Sequence, residues 1–136
     1  MSVWLIVTSA DHVARGVALG IVQVNHGKRA GLARMQRGDT IVYYSSTTTR
    51  GGSERLQQFT ALGVVDGDDI WQADEGSFQP FRRSARYMHA HAADLAPLKG
   101  QLELTSQPNW GYRLRLGLLN LSEGDAAILK AAMMAP

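Results

Sequence analysis

The chain has 136 residues, no cysteine and a formal net charge of +2. This length fits one domain over 1–136 that buries enough surface to fold without a disulfide or a metal ion. The lack of cysteine excludes disulfide frameworks, thiolate zinc sites and cysteine nucleophiles, and it fits a reducing compartment. Since no apolar run is long enough for a membrane span or a secretory leader, we expect a cytoplasmic protein.

In the first third of the chain, short apolar runs alternate with helical patterns. In chain order, these patterns predict a strand over 3–9, a helix over 9–20, a strand over 20–24, a short helix over 28–35 and a strand over 40–46. The helix over 9–20 ends at a glycine, which is a common helix stop. Alternation along the strand over 40–46 predicts that Ile41, Tyr43 and Ser45 share one side.

The rest of the chain is predicted to be mostly strands. The polar, glycine-containing segment 47–53 predicts a loop, and the Asp-Gly-Asp sequence at 66–68 predicts a hairpin turn between two strands. Further strands are predicted over 78–88 and 113–122, before a final helix that begins at Ser122. Many short strands with a few helices between them indicate an α+β domain, built as a small mixed β-barrel.

Charge is segregated along the chain although the net charge is small. Basic side chains cluster in the stretches 28–37, 82–86 and 113–115, while acidic side chains gather in 66–75 and in the final helix. Segregated basic patches attract an anionic polymer through the release of its counterions. The same clusters also fit ordinary solvated arginines, so charge alone leaves both interpretations open.

Patterns of catalytic and metal-binding residues are weak. Residues 9–12, Ser-Ala-Asp-His, contain the residue types of a hydrolase triad, but neighbours on one helical turn cannot adopt its geometry. His89 and His91 lack the further ligands that a metal site needs. Phosphate-loop and dinucleotide fingerprints are absent, although Gly27 and Lys28 precede a helix start where an anion is favoured. The sequence therefore predicts no catalytic residue, no metal site and no cofactor.

Five blocks of sequence, taken together and in order, resemble the EVE domain family. They are "WLIVTSADHVARGVALGIVQVNHGK", "MQRGDTIVYYS", "FTALGVV", "FQPFRR" and "NWGYRLRLGLLNLS", which cover nearly the whole chain. The resemblance implies a PUA-like mixed β-barrel with peripheral helices, related to YTH domains. It also implies a non-enzymatic reader of modified bases in DNA or RNA, chiefly cytosine with a group at carbon five. A partner nuclease or RNA-modification machinery would then supply the biological output.

The related YTH pattern points to particular positions in the pocket. The stretch "GIVQVNHGK" is similar to a YTH segment with a cage tryptophan followed by Glu-His-Gly, which puts Ile21 at the tryptophan and residues 25–27 at that step. The sequence "WQAD" resembles a second cage segment and supplies Trp71. Because two of the three cage aromatics have no counterpart, we do not expect tight capture of methylated adenine.

A base inserted at a barrel mouth needs flat walls, polar groups for its Watson–Crick edge and cations for the flanking phosphates. The predicted walls are Ile21, Trp71 and Phe78. The predicted polar groups are Ser9, Gln23, Asn25 and Ser45. The predicted phosphate contacts are Lys28, Arg82, Arg83 and Arg115. The polar loop 47–53 is expected to close over the bound strand.

Two other functions stay open. Some PUA-like relatives of the ASCH type hydrolyse an acylated nucleoside with a lysine, a threonine and a glutamate. Lys28 is a candidate for that lysine, but the sequence identifies no threonine and glutamate placed with it. A protein-binding adaptor is the third hypothesis, and the basic clusters disfavour it.

Overall fold

The computed structural model describes residues 1–135, which form a seven-stranded mixed sheet with helices packed on it. The strands are β1 (Val3–Val7), β2 (Ile21–Val22), β3 (Thr40–Thr47), β4 (Arg55–Gln72), β5 (Phe81–Tyr87), β6 (Ala93–Asp94) and β7 (Leu118–Leu121). The α-helices are α1 (Ala10–Leu19), α2 (Arg29–Ala33), α3 (Glu103–Ser106), α4 (Trp110–Arg113) and α5 (Glu123–Met134). Short 3-10 helices lie at Asn25–Gly27, Ala96–Leu98 and Leu114–Leu116.

The strand order is β2-β5-β4-β3-β1-β7, and β6 pairs with the early part of β4. Strands β1 and β3 are parallel, with Val7 paired to Tyr44, and the other ladders are antiparallel. The carboxyl ends of β1 and β3 therefore lie side by side, and the segments that follow them meet at one edge. The α+β class is confirmed, whereas closure of the sheet into a barrel stays a prediction.

Two apolar clusters lie on opposite faces of the sheet, and β1 shows why. Its residues alternate, so that Val3 and Leu5 join one cluster while Trp4 and Ile6 join the other. The first cluster, named here the α5 core, includes the inner face of α5 at Ala126, Leu129 and Met133. The second, named here the α1 core, includes side chains of α1, β2, α2 and β5: Val13, Val22, Leu32 and Ala85.

Helix α5 begins as its sequence predicts. The Ser122 hydroxyl oxygen accepts a 3.0 Å hydrogen bond from the Asp125 backbone N–H. The Asp125 carboxylate instead accepts from the backbone N–H groups of Glu103 and Leu104, at 2.8 and 2.9 Å. It therefore satisfies the first N–H groups of α3 and ties two helices together.

The predicted hairpin at 66–68 is wrong. β4 runs through it as one strand of 18 residues, and its pairing with β5 shifts register between Val65 and Ile70. The Asp66 carboxylate accepts from the Ser84 hydroxyl at 2.7 Å, and the Gly67 carbonyl accepts from Arg83 at 2.8 Å. Cross-strand partners for these polar groups make the stretch a bulge instead of a turn.

The predicted strands over 20–24 and 113–122 are shorter in the structure. The first is reduced to Ile21–Val22, since residues 25–27 turn away as a 3-10 helix. Residues 110–116 are helical up to Gly117, whose φ of +75° ends the helical turns before β7. Within residues 1–135, no helix is long and apolar enough to cross a membrane.

Candidate functional site

A cavity of about 630 Å³ opens where the carboxyl ends of β1 and β3 meet. Its walls come from β1 and its following turn, α1, the segment after β2, the connection between β4 and β5, and the segment before β7. The described lining includes Ile6, Val7, Thr8, Ser9, His12, Arg15, Gly16, Leu19, Ile21, Gln23, Val24, Asn25, His26, Lys28, Tyr43, Thr47, Arg50, Gly51, Glu75, Phe78, Arg82, Leu114, Arg115 and Gly117. Segments far apart in sequence thus share one site.

Most of the residues predicted for a base pocket lie in this lining. They are Ser9, Ile21, Gln23, Asn25, Lys28, Phe78, Arg82 and Arg115. Ile21 is almost fully buried and presents an apolar wall, while its carbonyl accepts a 2.7 Å hydrogen bond from the Tyr87 hydroxyl. The structure therefore brings these side chains together, and their roles toward a ligand stay predictions.

Arg83, predicted to contact phosphate, lies elsewhere. It is only 4% exposed and donates to the carbonyl oxygens of Gly67, Leu32 and Met35 at 2.8, 2.9 and 2.7 Å. These bonds tie α2 and the turn after it to the sheet. Its guanidinium is occupied by backbone acceptors, so Arg83 is corrected to a structural residue.

Ser45 and Trp71 also lie outside the cavity lining. Ser45 is fully buried, and its hydroxyl pairs with that of Thr60 at 2.8 Å. Trp71 is 40% exposed and sits directly opposite Arg82 in the antiparallel ladder. Since opposed residues in such a ladder share a face, Trp71 stands next to Arg82 on the outer side of the site.

A tight turn over residues 25–27 shapes one wall of the cavity. Asn25, His26 and Gly27 have φ values of +48°, +60° and +83°. A Cβ at Gly27 would lie 2.5 Å from Pro80 Cβ and 3.3 Å from Phe78 Cζ. Only glycine allows this close approach, which packs the turn against the Phe78 wall.

Arg82 lies at the centre of a polar network in the cavity. It donates from Nε to the Gln23 amide oxygen at 3.0 Å and from Nη2 to Glu75 Oε2 at 2.7 Å. Arg15 of α1 also pairs with Glu75. The hydrogen bond from Arg82 is the main cause that lowers the pKa of Glu75 below its ordinary value, and Arg15 adds to it. Glu75 is therefore an ionised acceptor held between two guanidinium groups.

The connection between β4 and β5 holds Glu75 and Phe78 in place. The Glu75 N–H donates to the Phe78 carbonyl at 2.8 Å, and the Ala73 N–H donates to the Pro80 carbonyl at 2.8 Å. Gly76 supplies the positive φ of +79° at the tip. Backbone hydrogen bonds thus fix the positions of both cavity residues, Glu75 and Phe78.

The loop over 48–54 lies against the cavity mouth and is tied to α1. The Asp11 backbone N–H donates to the Thr48 carbonyl at 3.0 Å, while the Ser9 hydroxyl donates to the Asp11 carboxylate at 2.5 Å. The Ser9 hydrogen bond is the main cause that lowers the pKa of Asp11. Arg50 reaches from this loop to within 3.3 Å of His26 Nδ1. The loop thus bridges two walls of the cavity.

Tyr43 forms part of the cavity floor. Its hydroxyl lies 3.1 Å from that of Tyr87, and burial raises the pKa of Tyr43 to about 12. Burial, with the neighbouring Tyr43, also raises the pKa of Tyr87. Both phenols are therefore neutral at physiological pH and offer hydrogen-bonding groups without charge.

Several lining residues were missed in the sequence: His12, Arg15, Tyr43, Arg50 and Glu75. Arg15 and Glu75 are 60 residues apart and meet only in the fold. With these residues included, the lining contains the five cations Arg15, Lys28, Arg50, Arg82 and Arg115 and one carboxylate, Glu75. Since the whole chain carries a net charge of only +2, positive charge is concentrated at this cavity. Within residues 1–135, no group of three or more potential metal-ligating side chains comes together.

Relatives of known sequence cover almost the whole chain. A UPF0310 protein of Renibacterium salmoninarum is 45% identical over 96% of this chain and 94% of its own length. A UPF0310 protein of Mesorhizobium japonicum is 44% identical over 98% of this chain and 92% of its own length. Both matches therefore span nearly the whole chain.

Solved structures show the same fold at low sequence identity. A Pseudomonas putida protein superposes with a TM-score of 0.59 at 14% identity, covering 96% of this chain and 98% of that protein. A hypothetical protein from Leishmania major has a TM-score of 0.58 at 14% identity, covering 95% of this chain and 92% of that protein. The EVE domain family model matches residues 2–132. The chain therefore belongs to the EVE domain family.

Proposed function

We propose that this chain is a non-enzymatic nucleic-acid-binding module that holds one modified, flipped-out base, with modified cytosine as the preferred ligand. Membership of the EVE family supports the nucleic-acid-binding role. The cavity volume of about 630 Å³ falls within the usual range for small-ligand sites. As part of this proposal, the module acts in the cytoplasm beside a nuclease or RNA-modification machinery.

The observation that carries the proposal is the acceptor and donor set around Arg82. Cytosine presents an amino donor at N4, for which a carboxylate is a suitable acceptor. Glu75 is such a carboxylate, and Arg82 beside it offers N–H donors to the acceptors at N3 and O2. The keto oxygen of thymine or uracil would face Glu75 unfavourably, so this set favours cytosine. Ile21 provides an apolar wall for a substituent at carbon five.

The cations around the cavity fit the phosphates on either side of such a base. Lys28, Arg50 and Arg115 line the cavity, and Lys28 and Arg50 are exposed to solvent. Neutralised phosphates release counterions, so affinity for an oligonucleotide should fall as salt rises. Free nucleoside binding should depend on salt much less.

Oligonucleotide binding to Arg82→Ala tests the proposal. We expect it to lose about 1–3 kcal/mol of preference for an oligonucleotide with 5-methylcytosine over one with thymine at the same position, because a donor to the Watson–Crick edge is removed. Arg86→Ala is the matched control, since Arg86 is an exposed arginine of the same strand outside the cavity lining. Fluorescence anisotropy at several salt concentrations measures the affinity of both variants for each oligonucleotide. Equal binding of modified and unmodified oligonucleotides by the wild type would refute the proposal.

The hydrolase hypothesis gains one observation. The cavity brings Lys28 together with Thr8, Thr47 and Glu75, the residue types that such an enzyme uses. Glu75 is held by two arginines and its pKa is lowered, which makes it a weak proton acceptor for catalysis. Incubation with acylated and methylated cytidines, followed by mass spectrometry, separates the two functions, since a reader leaves every nucleoside unchanged.

A further inference from the structure

Residues 110–116, which comprise α4 and the 3-10 turn after it, have two faces of opposite character. Trp110 and Leu114 are partly buried and pack against the α5 core. Tyr112 and Leu116, four residues apart, are 69% and 62% exposed. Residues at this spacing share one side of a helix. Two large side chains therefore face solvent together.

The segment is fixed to the wall of the cavity. The Gly117 carbonyl accepts from the Val7 N–H at 2.9 Å. A Cβ at Gly117 would lie 2.6 Å from Asn25 Oδ1, so the backbone passes close to the tight turn. On the inner side, the Lys99 ammonium lies 5.0 Å from the centre of the Trp110 ring. Tyr112 is thus exposed to solvent on a segment whose backbone is held against the cavity wall.

Arg115 connects the exposed ring to the cavity. Its guanidinium carbon lies 5.4 Å from the centre of the Tyr112 ring, within the range of a cation–π contact. The same arginine lines the cavity, as does Leu114. An aromatic face, a cation and the pocket mouth therefore form one continuous surface.

We propose that Tyr112, flanked by Leu116, stacks on the base next to the one that enters the cavity, and that Arg115 contacts the phosphate between them. This inference rests on the proposed function. Flipping a base out leaves its neighbour without a stacking partner, and an exposed aromatic ring restores that contact. The positive charge at Arg115 fits a phosphate and makes nucleic acid the occupant of this surface.

The experiment uses two single-stranded DNA oligonucleotides that contain 5-methylcytosine. In one, 2-aminopurine is the 5′ neighbour of the modified base, and in the other it is the 3′ neighbour. Stacking on Tyr112 should quench 2-aminopurine fluorescence with the wild type and with Tyr112→Phe. Tyr112→Ala should abolish the quenching and weaken oligonucleotide binding roughly fivefold to 150-fold, the range that one stacked base contributes. Binding of free 5-methylcytidine should not change, because the ring lies outside the cavity lining.

Two further variants keep the result interpretable. Tyr112→Leu keeps an apolar side chain without a flat ring and should also lose the quenching; it replaces the alanine variant if that variant melts early. Met134→Ala is the control, since Met134 is likewise exposed but lies at the end of α5. If Tyr112→Ala and Tyr112→Leu quench and bind like the wild type, this inference is wrong while the proposed function stands. If the wild type shows no preference for the modified oligonucleotide, the proposed function itself fails.

Discussion

Two neighbouring arginines of β5, Arg82 and Arg83, lie in different regions of the molecule and donate to different kinds of hydrogen-bond acceptor. Arg83 is buried, and all its observed hydrogen bonds go to backbone carbonyls of the sheet and of α2 and its turn. Arg82 lines the cavity, and its observed partners are the side chains of Gln23 and Glu75. Backbone partners cannot move without unfolding, whereas side-chain partners can exchange with a ligand. Arg83 is thus suited to stability and Arg82 to recognition.

The carboxylates divide in a similar way: two buried ones bond mainly to backbone N–H groups, and a partly exposed one bonds to side chains. Asp39 is 2% exposed and accepts from the Trp4 indole at 3.0 Å and from two backbone N–H groups. The Asp125 carboxylate accepts only from the backbone N–H groups of Glu103 and Leu104. Glu75, by contrast, pairs with two arginine side chains at the cavity. Among the buried side-chain polar atoms of residues 1–135, none lacks a hydrogen-bond partner, so the buried network is complete without a ligand.

The largest effect should come from Arg83→Met, which keeps an unbranched apolar side chain but removes its donors. Three carbonyl oxygens then lose a charged partner, two of them in buried hydrogen bonds. We expect a loss of about 3–5 kcal/mol in the free energy of unfolding. Urea unfolding followed by circular dichroism measures it.

Arg82→Met is the matched control on the next residue. Its partner Glu75 is partly solvated, so we expect a change of less than about 1 kcal/mol in unfolding free energy. Equal destabilisation by the two substitutions would contradict the division between a structural and a recognition arginine.

A somewhat smaller loss is expected for Gly27→Ala, at the point where the cavity wall meets the sheet. The left-handed φ costs an alanine about 1–2 kcal/mol, and the overlap with Pro80 adds about 1–3 kcal/mol. Thermal unfolding measures the loss, and weaker binding of 5-methylcytidine should accompany it because Phe78 must shift. Gly76→Ala is the control, since Gly76 also has a positive φ but nothing lies within 4 Å of its added Cβ.

Local sequence patterns predicted the elements that depend on local chemistry. β1, α1 and β3 begin and end within about two residues of the predicted bounds, and α5 begins one residue after Ser122, because apolar alternation and helix caps are local signals. The Asp-Gly-Asp bulge in β4 could not be predicted, since its polar groups are satisfied across the sheet by Ser84 and Arg83. The alternating Arg-Leu run over 113–116 has the pattern of a strand. In the structure it is helical, and Trp110 and Leu114, four residues apart, pack against the same apolar core.

The site was predicted in part for a similar reason. Residues that follow strands at one sheet edge, such as Ser9 and Gln23, could be grouped from the sequence. Strand alternation implies that Arg82 and Arg83 face opposite sides, but the sequence does not say which one faces the cavity. Arg15 and Glu75 were missed because their pairing spans 60 residues and has no local pattern.

The smallest effect on stability, and the sharpest test of the recognition network, is expected for Glu75→Gln. The Arg82 hydrogen bond lowers the pKa of Glu75 from its ordinary value of 4.5. Because the folded pKa lies below the unfolded one, the contribution of Glu75 to stability is complete above pH 4.5 and is lost as pH falls through the folded pKa. Urea unfolding from pH 7 to 3 should therefore show a constant difference between wild type and variant that shrinks only below pH 4.5.

Glu54→Gln is the matched control, because the Thr49 hydroxyl lowers the pKa of Glu54 in the same direction outside the cavity lining. Both variants should lack the part of the unfolding free energy that the wild type loses at acidic pH. Only Glu75→Gln should change base selectivity. An amide at residue 75 can turn its N–H₂ toward a keto oxygen, so the preference for cytosine over thymine should fall while affinity for unmodified strands rises with the added positive charge. Unchanged selectivity in Glu75→Gln would mean that the Arg15–Glu75–Arg82 group is a structural network like that of Arg83, and that the cavity reads its ligand through other side chains.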